Sequence, residues 1–269
     1  MKKFFALLVF LITTQALAQL SILKSDEDFN YDNFYRIRMH NLTESASVGN
    51  QTINLLDFEA VSEKLPQPAV PYNRDTHFGG WLVESNAGCL NTRAKVLVRD
   101  SLSNVTYSST GCTVATGQWD DPYTARMHTQ ARDIQIDHLV ALKNAYMTGA
   151  HEWSFEKRCL YANYMGNKFH LLSVNGPENM KKSDHTPEGY TPPNRRYTCQ
   201  FVKNWLNIKA IWNLRITPRE GQAIQKIVRD SKCDSNLFKV PYEHFEEQDR
   251  FISDNANLCS RTSASFSSF

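Results

Sequence analysis

Six cysteines, Cys89, Cys112, Cys159, Cys199, Cys233 and Cys259, constrain this chain more than any other feature. They are even in number and none forms a CxxC pair, so they read as a disulfide framework and not as a zinc ribbon. Such bridges last only in an oxidising compartment, and the first residues supply a route to one. MKKFFALLVFLITTQALAQ carries Lys2 and Lys3, an unbroken apolar run from Phe4 to Ile12, and Ala16-Leu17-Ala18, the pattern of a secretory signal cleaved after Ala18. The run is too short for a permanent membrane helix, and no later segment approaches ~18 apolar residues. A secreted or periplasmic protein is expected, monomeric and without stable membrane insertion. Six cysteines leave many connectivities open; sequence order and local motifs favour Cys89–Cys112, Cys159–Cys199 and Cys233–Cys259.

Cutting after Ala18 removes two of the 30 basic residues, so the mature chain has as many as its 28 acidic ones. Net charge therefore does not call for a nucleic-acid partner, and any basic surface must come from local clustering. Residues 19–71 read as an N-terminal extension, with a helical hint in LLDFEAVSEKL, closed by the Pro-rich linker LPQPAVP. LNTRAKVLVRDSLSNVTYSSTGCTVATGQW then looks β-rich. RDIQIDHLV continues as a strand, and LKNAYMTGAHEWSFEKRCLYANYM takes helical spacing with a break at Gly149. HLLSV suits a second strand, after which Pro177-Glu178-Asn179 opens a short helix. CQFVKNWLNIKAIWNL is amphipathic, with Trp205 and Trp212 on its core face, and Thr217 with Glu220 forms a capping box for the helix after it. The tail SRTSASFSSF is expected to lack structure.

Asp137 and His138 stand inside the otherwise apolar run QIDHLVAL. Alone, such a pair is most often a turn cap beside a half-buried imidazole. The order strand, connector, strand, helix changes that, because it places the pair on the first strand and the amide of Asn179 on the helix. Magnesium binds hard oxygens and keeps several waters, so one carboxylate and one amide oxygen suffice to hold it. A neutral imidazole near working pH can deprotonate an attacking water while the metal neutralises a phosphate. Adjacent strand residues point to opposite faces, so Asp137 and His138 can share one site only where the strand ends or bends.

RDIQIDHLVALKNAYMTGA from Arg132, continued through LLSV, NMKKSD and TPPN, resembles the core of the secreted HNH (His-Me finger, ββα-metal) endonucleases, whose domain is shared with GmrSD-type restriction enzymes. GCLNTRAKVLVRD from Gly88, with CTV and GQWDDPYT from Cys112 to Thr124, resembles the segment that precedes that core. The resemblance spans residues 72–228 and implies an α+β fold: a ββα-metal core with a long helical insertion, a preceding β-rich segment and C-terminal helices, stabilised by disulfides. Residues 229–269 would then form a C-terminal extension holding Cys233, Cys259 and the tail. It implies a metal-dependent endonuclease acting on DNA or RNA with low sequence specificity. Asp137 and Asn179 match the metal ligands and His138 the general base. The expected cofactor is Mg2+, with Mn2+, Zn2+ or Ni2+ open.

Two positions depart from the pattern. An Asn usually precedes the Leu-Leu strand; here that position is His170, and Asn167 lies three residues earlier as a displaced equivalent. His170 either holds the loop or adds a metal ligand, and the second role favours zinc, manganese or nickel over magnesium. A Gly that usually follows the DPYT segment is Ala125. Lys182, one helical turn after Asn179, leads the substrate-binding candidates, with Arg93, Arg99 and Arg158 behind it and Lys181, Arg195 and Arg196 nearby. Asp184 fits a loop-holding role better than a metal ligand. A catalytically silent binding module on the same fold is the rival reading. A metallopeptidase lacks its HExxH, since His151 has the wrong spacing.

Overall fold

The computed structural model describes residues 34–39, 51–83, 88–260 and 265–267, so the signal-peptide reading lies outside the described residues. Strand β1 (Tyr35–Ile37) is followed by β2 (Thr52–Asn54) and β3 (Phe58–Ala60), and β1 pairs antiparallel with β3. The helical hint in LLDFEAVSEKL is thus overturned at Phe58–Ala60, where pairing with β1 outweighs a weak helical period. LPQPAVP runs as an irregular connector; His151 Nε2 donates to Pro66 O at 2.8 Å and Tyr146 Oη to Val70 O at 3.0 Å. Helix α1 (Arg74–Phe78) and β4 (Trp81–Val83) follow.

Helix α2 (Thr92–Asp100) corrects the β-rich reading of LNTRAKVLVRD. The short apolar run Val96-Leu97-Val98, with Val at both ends, imitates a strand. Asn91 instead caps the segment, its side chain accepting from Ala94 N at 2.9 Å, and Ala94, Val96 and Leu97 are buried while Val98 stays exposed. The β expectation holds further on, where β5 (Thr106–Tyr107), β6 (Val114–Asp121) and β7 (Arg126–Gln130) form one antiparallel sheet in that order. Ala125, between β6 and β7, has φ 56°, the left-handed region that glycine adopts most easily.

Strand β8 (Ile134–His138) comes next, then α3 (Leu142–Met147), α4 (Phe155–Ala162), β9 (Leu171–Asn175) and α5 (Gly176–Lys182). β8 and β9 are antiparallel partners, with Ile134 opposite Asn175 and His138 opposite Leu171. Helices α6 (Thr198–Ile211) and α7 (Pro218–Asp230) follow, the latter started by the expected capping box of Thr217 and Glu220. β10 (Lys239–Pro241) pairs with β2, α8 (Tyr242–Asp254) covers the core, and β11 (Ser265–Ser267) pairs with β4. Over Ser265–Ser267 the expectation of a structureless tail is therefore corrected: an open edge at β4 recruits these residues.

One hydrophobic cluster runs through the molecule and draws on both ends of the described chain. Phe34, Ile53, Leu55 and Leu65 from the N-terminal side join Phe238, Val240 and Phe245 around Phe201, Trp205 and Trp212. Both tryptophans thus pack in the core, as their spacing on the amphipathic segment implies. A second cluster, with Trp81, Val96, Leu97, Trp119, Ile134 and Ile136, fills the space between α2, β6 and β8. Lys209 is fully buried and donates to Asn144 Oδ1 at 2.7 Å and Arg215 O at 2.8 Å, with Glu220 Oε1 at 3.4 Å. Glu220 in turn accepts from Trp205 Nε1 at 2.6 Å, so a satisfied polar knot ties α3, α6 and α7 together.

The disulfides are Cys89–Cys112, Cys159–Cys259 and Cys199–Cys233. The first agrees with sequence order; the other two replace the expected Cys159–Cys199 and Cys233–Cys259. Cys199 lies at the start of α6 and Cys233 just past the end of α7, so the return of the second helix along the first brings these two together and leaves Cys159 to meet Cys259. The Cys159–Cys259 bridge spans 100 residues and Cys89–Cys112 only 23. Closure of loops of these lengths restricts the unfolded chain by about 4.7 and about 3.4 kcal/mol. Replacement of Cys159 and Cys259 by Ser is expected to lower the urea midpoint more than the same change at Cys89 and Cys112. Equal losses would show that chain restriction does not set the contribution of these bridges.

Candidate functional site

β8 ends at His138, and this termination solves the problem of two neighbouring side chains on one strand. Asp137 and His138 both border a cavity of about 510 Å³ that Asn179, Arg74, Lys143 and Tyr72 also line. β9 leads directly into α5, whose start is fixed by Asn175, its side chain accepting from Glu178 N at 3.1 Å, and by Pro177 in the first turn. The β8–β9 pair and the helix together set Asn179 alongside β8, next to Gln135. Asn179 Nδ2 donates to Gln135 Oε1 at 2.9 Å, which orients the amide and leaves Oδ1 as its acceptor.

Asp137 is buried, and both its oxygens are engaged. Lys182 Nζ donates to Oδ1 at 2.7 Å and Tyr123 Oη to Oδ2 at 2.5 Å. Burial pushes the Asp137 carboxyl up from its ordinary range, while the Lys182 ammonium, the Tyr123 hydroxyl and Arg74 act in the opposite direction. Each carboxylate oxygen keeps a second lone pair, so these bonds leave room for a further partner. Lys182, expected on sequence grounds to meet substrate, is fully buried and also donates to His138 O at 3.1 Å. Its amphipathic stem runs inward from α5, and its charge is spent behind the carboxylate.

The two central histidines have different surroundings. His138 Nε2 donates to Ala162 O at 2.9 Å, so the neutral ring carries its lone pair on Nδ1. Burial, then the charge of Arg74, holds the His138 imidazole well below its usual range, with the Ala162 carbonyl acting against them. The ring is therefore neutral, as a proton acceptor must be. His170 points into the aromatic core, with Tyr161, Tyr164 and Trp212 rings around it and Nε2 donating to Tyr161 O at 2.8 Å. Burial pulls it down to about 3, and it is not among the residues that line the cavity. Asn167 accepts from Phe169 N and His170 N at 3.1 and 2.9 Å and donates to Gln248, which fixes the loop ahead of β9.

The predicted arginines are tied into the scaffold. Arg93 donates to Ala131 O and Ile134 O, and Arg99 pairs with Asp100 at 2.6 Å and donates to Leu171 O at 2.6 Å. Arg158 donates to His77 O at 2.8 Å and to Trp153 O. Arg195 and Arg196 are exposed, and Asp184 sits 3.4 Å from Lys143 at the cavity rim. Sequence reasoning missed Arg74 and Lys143, the cations that do border the cavity, and Tyr123, which braces Asp137. Tyr123 stands in the quoted DPYT segment; Arg74 follows the Pro-rich connector by three residues and carries no motif. Among the described residues no group of three or more His, Cys, Asp and Glu side chains converges as a metal site. A paired carboxylate and amide oxygen on an open cavity instead fit a hard cation that keeps most of its waters.

Removal of Lys182 would leave a buried, uncompensated carboxylate. Lys182→Met is expected to cost about 3–5 kcal/mol in urea unfolding, and adding Asp137→Asn to recover part of that loss; an additive double variant would show the pair to be uncoupled. His170 has its folded value near 3 against 6.5 when free, so between these limits only the unfolded chain binds that proton and stability falls as pH falls. His170→Gln is expected to flatten the stability–pH slope between about pH 6 and 4 by about 1.4 kcal/mol per unit. An unchanged slope would mean that His170 protonates within the folded protein.

The pattern that defines the GmrSD restriction endonucleases, C-terminal domain, matches residues 92–227, just over half of the chain. An "Uncharacterized secreted protein" of Arthroderma benhamiae is 35% identical over 161 residues, which cover 60% of this chain and 76% of that protein. No solved structure matches. Among the described residues no helix is long and apolar enough to cross a membrane. The match runs from α2 to near the end of α7 and takes in β8, β9 and α5 with Asp137, His138 and Asn179, while the cavity residues Tyr72 and Arg74 lie before it. By that match the chain belongs to the family of the GmrSD restriction endonuclease C-terminal domain.

Proposed function

We propose that the protein is an exported endonuclease of the HNH, ββα-metal kind, which hydrolyses phosphodiester bonds of DNA or RNA with low sequence specificity. The convergence of Asp137, His138 and Asn179 on one cavity, where α5 packs along β8, carries this reading. Export is supported by the leader at residues 1–18, the three disulfides and the secreted relative.

The Asp137 carboxylate and Asn179 Oδ1 would hold a divalent cation, Mg2+ before Mn2+, Zn2+ or Ni2+. Such a cation supplies charge neutralisation at the scissile phosphate and the departing oxygen. His138 Nδ1 takes the proton of the attacking water, its tautomer set by the bond from Nε2 to Ala162 O. Tyr123 and Lys182 keep the carboxylate from turning away. Arg74 and Lys143 bring positive charge to the cavity wall, where contacts to phosphate oxygens give binding that does not read sequence. The seclusion of His170 in the aromatic core favours magnesium, since it leaves only oxygen donors for the metal.

Purified mature protein incubated with plasmid DNA and with RNA is expected to cut in Mg2+ and to stop in EDTA. His138→Ala, Asp137→Ala and Asn179→Ala should each reduce the rate by about 10²–10⁴-fold. Arg74→Ala should raise KM and weaken salt-sensitive binding while leaving the fold intact. Binding without cleavage under every metal would support the silent module, and cleavage that survives EDTA or His138→Ala would refute the assignment.

A further inference from the structure

We infer that Trp81 is a positioning residue for His138, and that Asn163 holds it in place; the inference rests on the base role given to His138 above. The indole of Trp81 and the imidazole of His138 are parallel within 3°, with ring centroids 5.3 Å apart. Both side chains are buried. Trp81 lies on β4, before residues 92–227, which the family pattern matches.

The need for a second restraint follows from the shape of histidine. The bond from Nε2 to Ala162 O selects the tautomer and the flip of the ring. It controls the χ2 torsion weakly, because χ2 of histidine is broad and rotation about it sweeps Nδ1 further than Nε2. A flat aromatic face lying parallel to the ring supplies the missing restraint, since rotation about χ2 would drive an edge of the imidazole into the indole. Nδ1, the proton-accepting atom, is then aimed by two contacts together.

A single short segment unites those contacts. Ala162 accepts from His138, and its neighbour Asn163 accepts from Leu82 N at 2.9 Å and donates to Gly80 O at 3.1 Å, clasping the backbone on either side of Trp81. Asn163 is itself buried and caps α4, its N–H donating to Cys159 O. The imidazole and the indole beneath it are therefore registered to the same two residues at the end of one helix. A displacement of that helix end carries both rings with it and preserves the stack.

Three proteins decide the matter: the mature chain, Trp81→Phe and Trp81→Leu, each measured for plasmid cleavage in Mg2+ and by imidazole nitrogen–proton spectra of histidine-labelled protein. Trp81→Leu is expected to lose about 100-fold in kcat with KM changed less than about threefold, the cost of a misaimed reacting group. Trp81→Phe, which keeps a flat face, should recover most of the loss. In the spectra the Nε2–H tautomer, which the bond to Ala162 O sets, should persist in all three proteins, while the His138 ring signals should be single in the mature chain and Trp81→Phe and broadened or doubled in Trp81→Leu. A Leu variant with unchanged kcat, or one whose His138 ring signals stay single and sharp, overturns the inference. Should the mature chain cleave no nucleic acid with any cation, the nuclease reading falls, and the spectra alone decide whether Trp81 orients the ring.

Discussion

The buried ion pair of Lys182 and Asp137 joins the helix end of α5 to the last turn of β8, and the geometry around the cavity depends on it. Two charges with almost no exposure are costly to remove from water, and their attraction offsets that only with good geometry and further hydrogen bonds. Here both conditions are met: Tyr123 takes the other carboxylate oxygen, and the carbonyl of His138 takes a second ammonium proton. Because one end of the pair lies on the strand and the other on the helix, it fixes where Asn179 stands relative to Asp137. Such a pair specifies arrangement more than it adds stability.

The alternation of RDIQIDH and the short apolar run HLLSV made β8 and β9 legible, and the Gly-Pro pair after Asn175 marked the start of α5. Asp137, His138 and Asn179 were found by that order of elements, and they do share one cavity. Local rules failed where a tertiary partner decided the outcome. Phe58–Ala60 and Ser265–Ser267 became strands because β1 and β4 offered open edges, which no window of sequence reveals. Residues 92–100 failed for a different reason: the apolar run at 96–98 mimics a strand, and the signal that contradicts it is a single capping Asn91. Disulfide pairing was legible only for Cys89 and Cys112, since the others depend on how α6 and α7 fold back.

Basic residues near the motif were the least legible of all. Proximity in sequence suggested that Lys182, Arg93, Arg99 and Arg158 face a substrate, yet each is consumed by a carboxylate or by backbone carbonyls. A guanidinium can satisfy several carbonyls that no strand or helix would otherwise reach, so arginine serves as a cross-brace where the backbone is irregular. The cavity instead takes its charge from Arg74 and Lys143, on elements that flank the motif.

Strand β2 lies near the beginning of the described chain, and its partner β10 lies close to the end. During synthesis the ribosome must therefore finish residues 239–241 before β2 has its partner to join, and Cys259 must follow before Cys159 can be bridged. A nascent or truncated chain has neither clasp, and reducing surroundings withhold the second one even from a complete chain. The order of manufacture thus delays the first clasp until residue 241 and the second until residue 259, and the second also waits for an oxidising setting.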